Sequence, residues 1–260
     1  MGGELIVERA GGVVRLTLNR PSRRNALTPE LIEELLGELD RVDADPDARA
    51  VVVAGAGTAF CAGFDIARID SEDGAGAGAE AVLVERLCSR VRALRPPVVA
   101  KVNGVASGTG CDLAVSCDVR FASQEARFGM PPARLGILYD YRGMQRLVQT
   151  VGPAFAKELL LCGELVDAER ALAMGLVNRV FPAGQLDTET DRFVAAVAAN
   201  APLSVRASKL TVNLIADSAP LPDEARLALD DASRAVWTSE DAREGPRAFR
   251  ERRPPRFVGR

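Results

Sequence analysis

The sequence contains no histidine. That removes the Ser-His-Asp and Cys-His catalytic arrangements in their usual forms, and most catalytic zinc designs with them. Cysteine is sparse: Cys61, Cys88, Cys111, Cys117 and Cys162 make five, an odd number with no CxxC spacing. Each lies in an apolar run, so buried thiols in a reducing compartment are expected, not a disulfide framework. An excess of positive charge is also missing. The net charge of −3 argues against a nucleic-acid surface and against a strongly basic membrane-binding face. No apolar run reaches membrane-spanning length. The opening MGGELIVERAGG has no charged-then-apolar secretion pattern, so a cytoplasmic protein without nucleic-acid or membrane partners is expected.

What is present is a large apolar fraction, 47% of 260 residues, enough for a sizeable core. The most informative stretch is 99–123. Val98, Val99 and Val102 predict a buried strand, Asn103-Gly104 a turn, and 111–115 a short helix entered through Gly108-Thr109-Gly110. A second strand is predicted over 118–122. A strand that empties through small residues into a helix start leaves N–H groups unpaired and aimed one way, a place suited to a negative oxygen.

Upstream, 5–8 and 13–19 alternate around Gly11-Gly12 as a hairpin. Thr28 caps a helix that has Pro29 at its first position and runs to about Val42. A short apolar strand follows at 50–54, then a small-residue loop over 55–63. The stretch 71–79 (SEDGAGAGA) reads as a mobile surface loop and 80–94 as a helix. Downstream, a strand is predicted at 127–130 and another at 178–181. Helices are predicted at 142–151, 153–161, 167–174, 185–199, 202–215, 223–237 and 240–250. Strand-strand-helix units recur early and helices dominate late, which divides the chain into an α/β core over 1–200 and a helical region over 201–260. Val51 to Gly57 superficially suggests a dinucleotide-binding turn. The third glycine of that fingerprint falls on Phe60 and no helix opens there, so that reading is rejected.

Several motifs coincide in order: Asn19-Arg20-Pro21, Asn25-Ala26-Leu27, Phe60-Cys61-Ala62-Gly63-Phe64-Asp65, Asn103-Gly104, Gly108-Thr109-Gly110-Cys111-Asp112, Cys117-Asp118, and Ala248-Phe249-Arg250-Glu251-Arg252-Arg253-Pro254. Together they resemble the enoyl-CoA hydratase/isomerase superfamily, the crotonases, over nearly the whole chain. The resemblance implies an α/β crotonase (ClpP-like) spiral of ββα units. A C-terminal helical region would build homotrimers, often paired into hexamers. It implies acyl-CoA thioester chemistry, with no permanently bound cofactor and coenzyme A entering as part of the substrate. Two backbone N–H groups, carried over as those of Phe64 and Thr109, would hold the thioester oxygen as it becomes an enolate. Thr109 replaces the usual glycine. Its N–H survives, and at a helix start with negative φ its Cβ causes no strain.

A hydratase of this family activates one water with two glutamates. Here the first position is Asp112, whose shorter side chain withdraws its oxygens by about an ångström. The second is Pro132, in Met130-Pro131-Pro132, which has no carboxylate. Asp140, in Gly136-Ile137-Leu138-Tyr139-Asp140, matches a segment that carries the acid of some family isomerases. The expected chemistry is therefore a 3-enoyl to 2-enoyl shift with Asp140 as base. A 2-enoyl-CoA hydratase working through Asp112, and a CoA-binding protein without catalysis, are the alternatives. Asp140 also fits a helix N-cap or an exposed loop acid, and Asp112 a surface or subunit-contact acid. Arg24, Ala26, Ala62, Ile66, Phe249 and Arg252 match positions that contact CoA in the family. Asp65 is read as a cap for the loop beside it. Arg24 equally fits a solvated charge, and Phe249 with Arg252 a charged helix end.

Overall fold

β1 (Leu5–Ala10) and β2 (Val13–Leu18) pair antiparallel across Gly11 and Gly12, which take φ of 59° and 77°. The computed structural model describes residues 3–65, 75–217 and 237–256 and positions 227, 230, 231 and 234, with only the backbone of 75–79. The helix α1 (Pro29–Ala44) starts as expected: Thr28 Oγ1 accepts the Leu31 N–H at 3.2 Å, and Pro29 occupies the first turn. It lays Leu31, Ile32, Leu35, Leu36, Leu39 and Val42 on the sheet.

Parallel strands then accumulate on β2. β3 (Ala50–Gly55), β5 (Val98–Val102), β7 (Val119–Ser123) and β10 (Arg179–Phe181) complete a six-stranded sheet in the order β1-β2-β3-β5-β7-β10. Every residue of β3 is buried, as expected of a parallel strand covered on both faces. One face carries the main core. On the other, α6 (Ala183–Ala199) packs Leu186 and Val194 against Val13, Val52, Val99 and Phe121.

A second sheet of four strands lies beside the first: β4 (Ala59–Cys61), β6 (Val105–Ser107), β8 (Arg127–Gly129) and β9 (Val166–Asp167). Three of these, β4, β6 and β9, are absent from the sequence reading, because two or three residues are too few to show alternation. After the β1-β2-α1 unit come β3-β4-α2, β5-β6-α3 and β7-β8-α4, so each later turn places one strand in each sheet. The helices of these turns are α2 (Ala75–Ala93), α3 (Thr109–Ser116) and α4 (Tyr141–Cys162). This is the ββα spiral the resemblance implies. α2 starts earlier than predicted: 75–79, read as loop, is helical, because alanine carries the turn despite its glycines. Positions 71–74 lie outside the described residues. α4 merges two predicted helices across a break at Gly152, where φ is 76° and ψ 164° and Pro153 opens the second half.

Four cysteines are buried as expected, but Cys162 is exposed at the last turn of α4. Desolvation pushes the thiols of Cys61, Cys111 and Cys117 up to about 12, so none of these is a ready thiolate. After α5 (Ala168–Ala173) and α6, the chain ends in α7 (Pro202–Asp217) and α8 (Glu240–Arg250). Most of the predicted helix 223–237 lies outside the described residues. α8 sits directly on the 3-10 turn Ala133–Leu135, and a Cβ on Gly245 would overlap the Leu135 carbonyl. α7 is inverted. Arg206, Lys209 and Asn213 face the core and donate to the carbonyls of Ala48, Pro96 and Arg92. Leu203, Leu210 and Leu214 turn outward, each more than half exposed. No helix among the described residues is long and apolar enough to cross a membrane.

Candidate active site

The site begins with a pinned loop. Asn25 is fully buried at φ 57°, a left-handed position that asparagine tolerates. Its amide donates to the carbonyls of Ala56 (2.9 Å) and Ala59 (2.7 Å), and its Oδ1 accepts the Arg20 N–H (2.9 Å). The next residues clamp the strand exit after β4. Leu27 donates to the Gly63 carbonyl (2.8 Å), and Asp65 N–H donates to the Leu27 carbonyl (2.9 Å). Phe64, held between these two bonds, has an N–H with no acceptor among the described residues.

α3 supplies the second free donor. Gly108 takes the left-handed φ of 58°, while Thr109 is not among the residues with positive φ, so its side chain is unstrained. The Gly108 carbonyl accepts from Cys111 and Asp112, whereas the Thr109 N–H meets no acceptor among the described residues. Two glycines set the spacing. A Cβ on Gly110 would lie 2.1 Å from the Cys61 carbonyl, so only glycine lets α3 start against β4. A Cβ on Gly63, at φ 103°, would lie 2.8 Å from the Ser107 carbonyl and 3.5 Å from the Thr109 nitrogen. The strand exit that carries Phe64 is thus held close against the start of α3 at Thr109.

Two cavities join there. A cleft of about 870 Å³ runs from Arg24 and Ala62 to Phe249 and Arg253 at the end of α8. A smaller pocket of about 80 Å³ continues inward, lined by Glu80, Val84, Leu138 and Asp140 among others. Phe64, Thr109, Ile137, Tyr139 and Trp237 border both, so the amide pair stands at the junction. The Tyr139 hydroxyl lies 2.9 Å from where a Gly108 Cβ would stand, and burial raises its phenol above the ordinary range.

The charges behind the inner pocket are paired unevenly. Arg146 of α4 donates to both oxygens of Glu85 (3.0 and 2.7 Å) and both of Asp112 (3.1 and 2.9 Å). All three are buried. Burial alone would lower the guanidinium, but its bonds to the two carboxylates hold it above the usual range. Asp140 caps α4, accepting the Arg142 N–H at 2.9 Å. Burial nevertheless lifts its carboxyl above the usual range, outweighing that bond and the Arg142 charge.

The chain matches the model of the family described as enoyl-CoA hydratase/isomerase over residues 8–260. It belongs to that family. It is 42% identical over 252 residues to a putative enoyl-CoA hydratase of Thermus thermophilus, covering 95% of this chain and 98% of that protein. The structure of an enoyl-CoA hydratase from Mycobacterium avium subsp. paratuberculosis superposes with a TM-score of 0.86 at 31% identity, covering 98% of this chain and 99% of that one. A methylmalonyl-CoA decarboxylase in complex with 2-nitronate-propionyl-CoA superposes with a TM-score of 0.93 at 26% identity, covering 99% of each chain. The fold is thus the crotonase fold, and the protein is an acyl-CoA enzyme of this family.

Within that family frame the expected positions divide. Phe64, Thr109 and Asp140 come together at the inner pocket, and Arg24, Ala62 and Phe249 at the outer cleft. Asp112 borders the pocket but is committed to Arg146; it is neither a surface acid nor a free one. Asp65 is paired with Arg20 at 3.2 Å, and Arg20 also donates to the Ala26 carbonyl at 2.6 Å, so Asp65 and Ala26 hold the loop. Ile66 lies outside the described residues. Arg252 is exposed and does not line the cleft; its φ of 53° turns the chain so that Arg253 does. Arg253 is held there by Glu244, at 3.0 Å to Oε2. Tyr139, expected with its neighbours to form part of the pocket wall, borders both cavities; the sequence reading passed over Trp237, Glu80 and the Glu85–Arg146 pair.

Removing the central guanidinium leaves two buried carboxylates unpaired. Arg146→Met is expected to lower the unfolding free energy by about 3–5 kcal/mol, read by urea denaturation. An unchanged midpoint would show that the three helices do not depend on it.

Proposed function

We propose that this enzyme shifts the double bond of a 3-enoyl-CoA thioester to the 2 position, with Asp140 as the base. The observation that carries the reading is the inner pocket. It brings a desolvated carboxylate to the same place as two unpaired backbone donors, while Asp112 is occupied and Pro132 offers no second acid. The nucleotide end of the substrate lies in the outer cleft, where Arg24, Arg134 and Arg253 offer charge for its phosphates. The thioester oxygen rests on the Phe64 and Thr109 N–H groups. Asp140 takes a proton from C2, and the charge that develops on the oxygen meets donors already in place. Reprotonation at C4 gives the 2-enoyl thioester. Coenzyme A enters as substrate, and no resident cofactor takes part in these steps.

Water addition to a 2-enoyl thioester is the second reading. It is favoured by relatives named as hydratases. It requires two acids around one water, and the family's second position is a proline here.

The inverted face of α7 supports assembly into a homotrimer or a hexamer built of two trimers. Leu203, Leu210 and Leu214 form an outward apolar stripe on a helix whose polar side already faces its own core. On this reading 201–260 is the oligomerisation region and 1–200 the spiral core with the acyl-CoA site, with Trp237, Phe249 and Arg253 of the former also bordering the cleft.

Asp140→Asn is expected to lower conversion of a 3-enoyl-CoA by roughly 10²–10⁴-fold while CoA binding persists; a variant with full turnover would remove Asp140 from the mechanism. The base must be ionised, and its carboxyl is raised. Activity should therefore fail on acidification at a pH above the ordinary aspartate value of about 3.9. A pH–rate profile whose acid limb lies at or below that value would contradict the desolvated base. Leu210→Asp with Leu214→Asp should convert the assembly to monomers in light scattering, and an unchanged mass would place the interface elsewhere.

A further inference from the structure

The acids around the inner pocket are Glu80, Glu85, Asp112 and Asp140. Glu85 and Asp112 lie on Arg146, and Asp140 caps α4. Glu80, in the second turn of α2, is the remaining one. Its Oε2 is buried and has no hydrogen-bond partner among the described residues. Thr109 Oγ1, in the same pocket, is also buried and unpartnered. Buried polar atoms are almost always satisfied in folded proteins. Two orphans in one small cavity, beside the amide pair, mark a place where substrate atoms complete the bonding. Burial raises the Glu80 carboxyl above its usual range, which suits a group that carries a proton to the reaction.

We propose that Glu80 is a second acid–base residue of this pocket, delivering a proton to C4 of the acyl chain while Asp140 removes one from C2. This rests on the isomerase reading above. In the first step the C2–H bond breaks, its proton goes to the Asp140 carboxylate, and the electron pair enters the dienolate held by Phe64 and Thr109. In the second step the Glu80 O–H bond breaks, its proton forms the C4–H bond, and the electron pair returns to make the C2–C3 double bond of the thioester. Asp140 is left neutral and Glu80 charged. Loss of a proton from Asp140 to water and gain of one by Glu80 resets the pair.

The two-acid route and a one-base shuttle differ in where hydrogen goes. In deuterated water the wild-type enzyme should place solvent deuterium at C4 of the first-formed product. Transfer of the substrate's own C2 hydrogen to C4 would overturn the proposal, and this measurement needs no variant. Glu80→Gln should still exchange the C2 hydrogen with solvent yet form product roughly 10²-fold more slowly, with Glu80→Asp recovering part of the rate. Wild-type turnover in Glu80→Gln, or loss of C2 exchange together with turnover in a folded variant, would overturn it. Asp140→Asn abolishes C2 exchange if Asp140 is the base, so the two readings fail separately.

Discussion

Arg146 holds Glu85 and Asp112 together, and three helices meet on it. Glu85 belongs to α2, Asp112 to α3 and Arg146 to α4. Each of these helices also presents a residue to the inner pocket: Glu80 on α2, Thr109 at the start of α3, and Asp140 as the cap of α4. A buried ion pair adds little stability over a well-packed apolar contact, but breaking one leaves a bare charge at large cost. The pairing therefore fixes register more than it strengthens the core. Gly143 completes the fit: a Cβ there would lie 2.8 Å from Asp112 Oδ2. Asp112 accepts from Arg146 with both oxygens, so the acid that closes the central motif is held in the scaffold.

The two free amides of Phe64 and Thr109 follow a different logic. Both donors belong to the backbone, so what must be specified is chain path. Gly63 at φ 103° and Gly110 against the Cys61 carbonyl set that path. The residue between Gly108 and Gly110 needs only an N–H and a negative φ, which is why threonine is accepted there. Donors fixed before the substrate arrives need no reorganisation as charge develops. Thr109 adds a hydroxyl that a glycine would not supply, and that hydroxyl is one of two buried, unpartnered oxygens that border the inner pocket among the described residues.

Much of this was legible in the sequence because it is local. The Thr28-Pro29 cap, the Gly11-Gly12 hairpin, and the valine runs of β3 and β5 each depend on neighbours along the chain. The ordered motifs led to the fold and to Phe64, Thr109 and Asp140 as candidates. What escaped depends on distance or on a single torsion. β4, β6 and β9 owe their existence to pairing partners far along the chain, not to any pattern of their own. Arg253, not Arg252, reaches the cleft because of one left-handed φ. Glu80 lies at the edge of a stretch that reads as loop, and its importance comes only from what it fails to contact. The Arg146 pairings span 61 and 34 residues, beyond any local pattern.

The central claim is that the Thr109 and Phe64 amides polarise a thioester carbonyl. Thr109 occupies the first helical position, where proline fits and removes the N–H together with the side-chain hydroxyl; Thr109→Val, which removes the hydroxyl and keeps the N–H, is the control. The direct measurement is the carbonyl stretching frequency of a bound, unreactive acyl-CoA in the native enzyme and in Thr109→Pro. The account predicts a shift to lower frequency on binding to the native enzyme, much reduced in a folded Thr109→Pro that still binds CoA. Identical frequencies in the two proteins would contradict it.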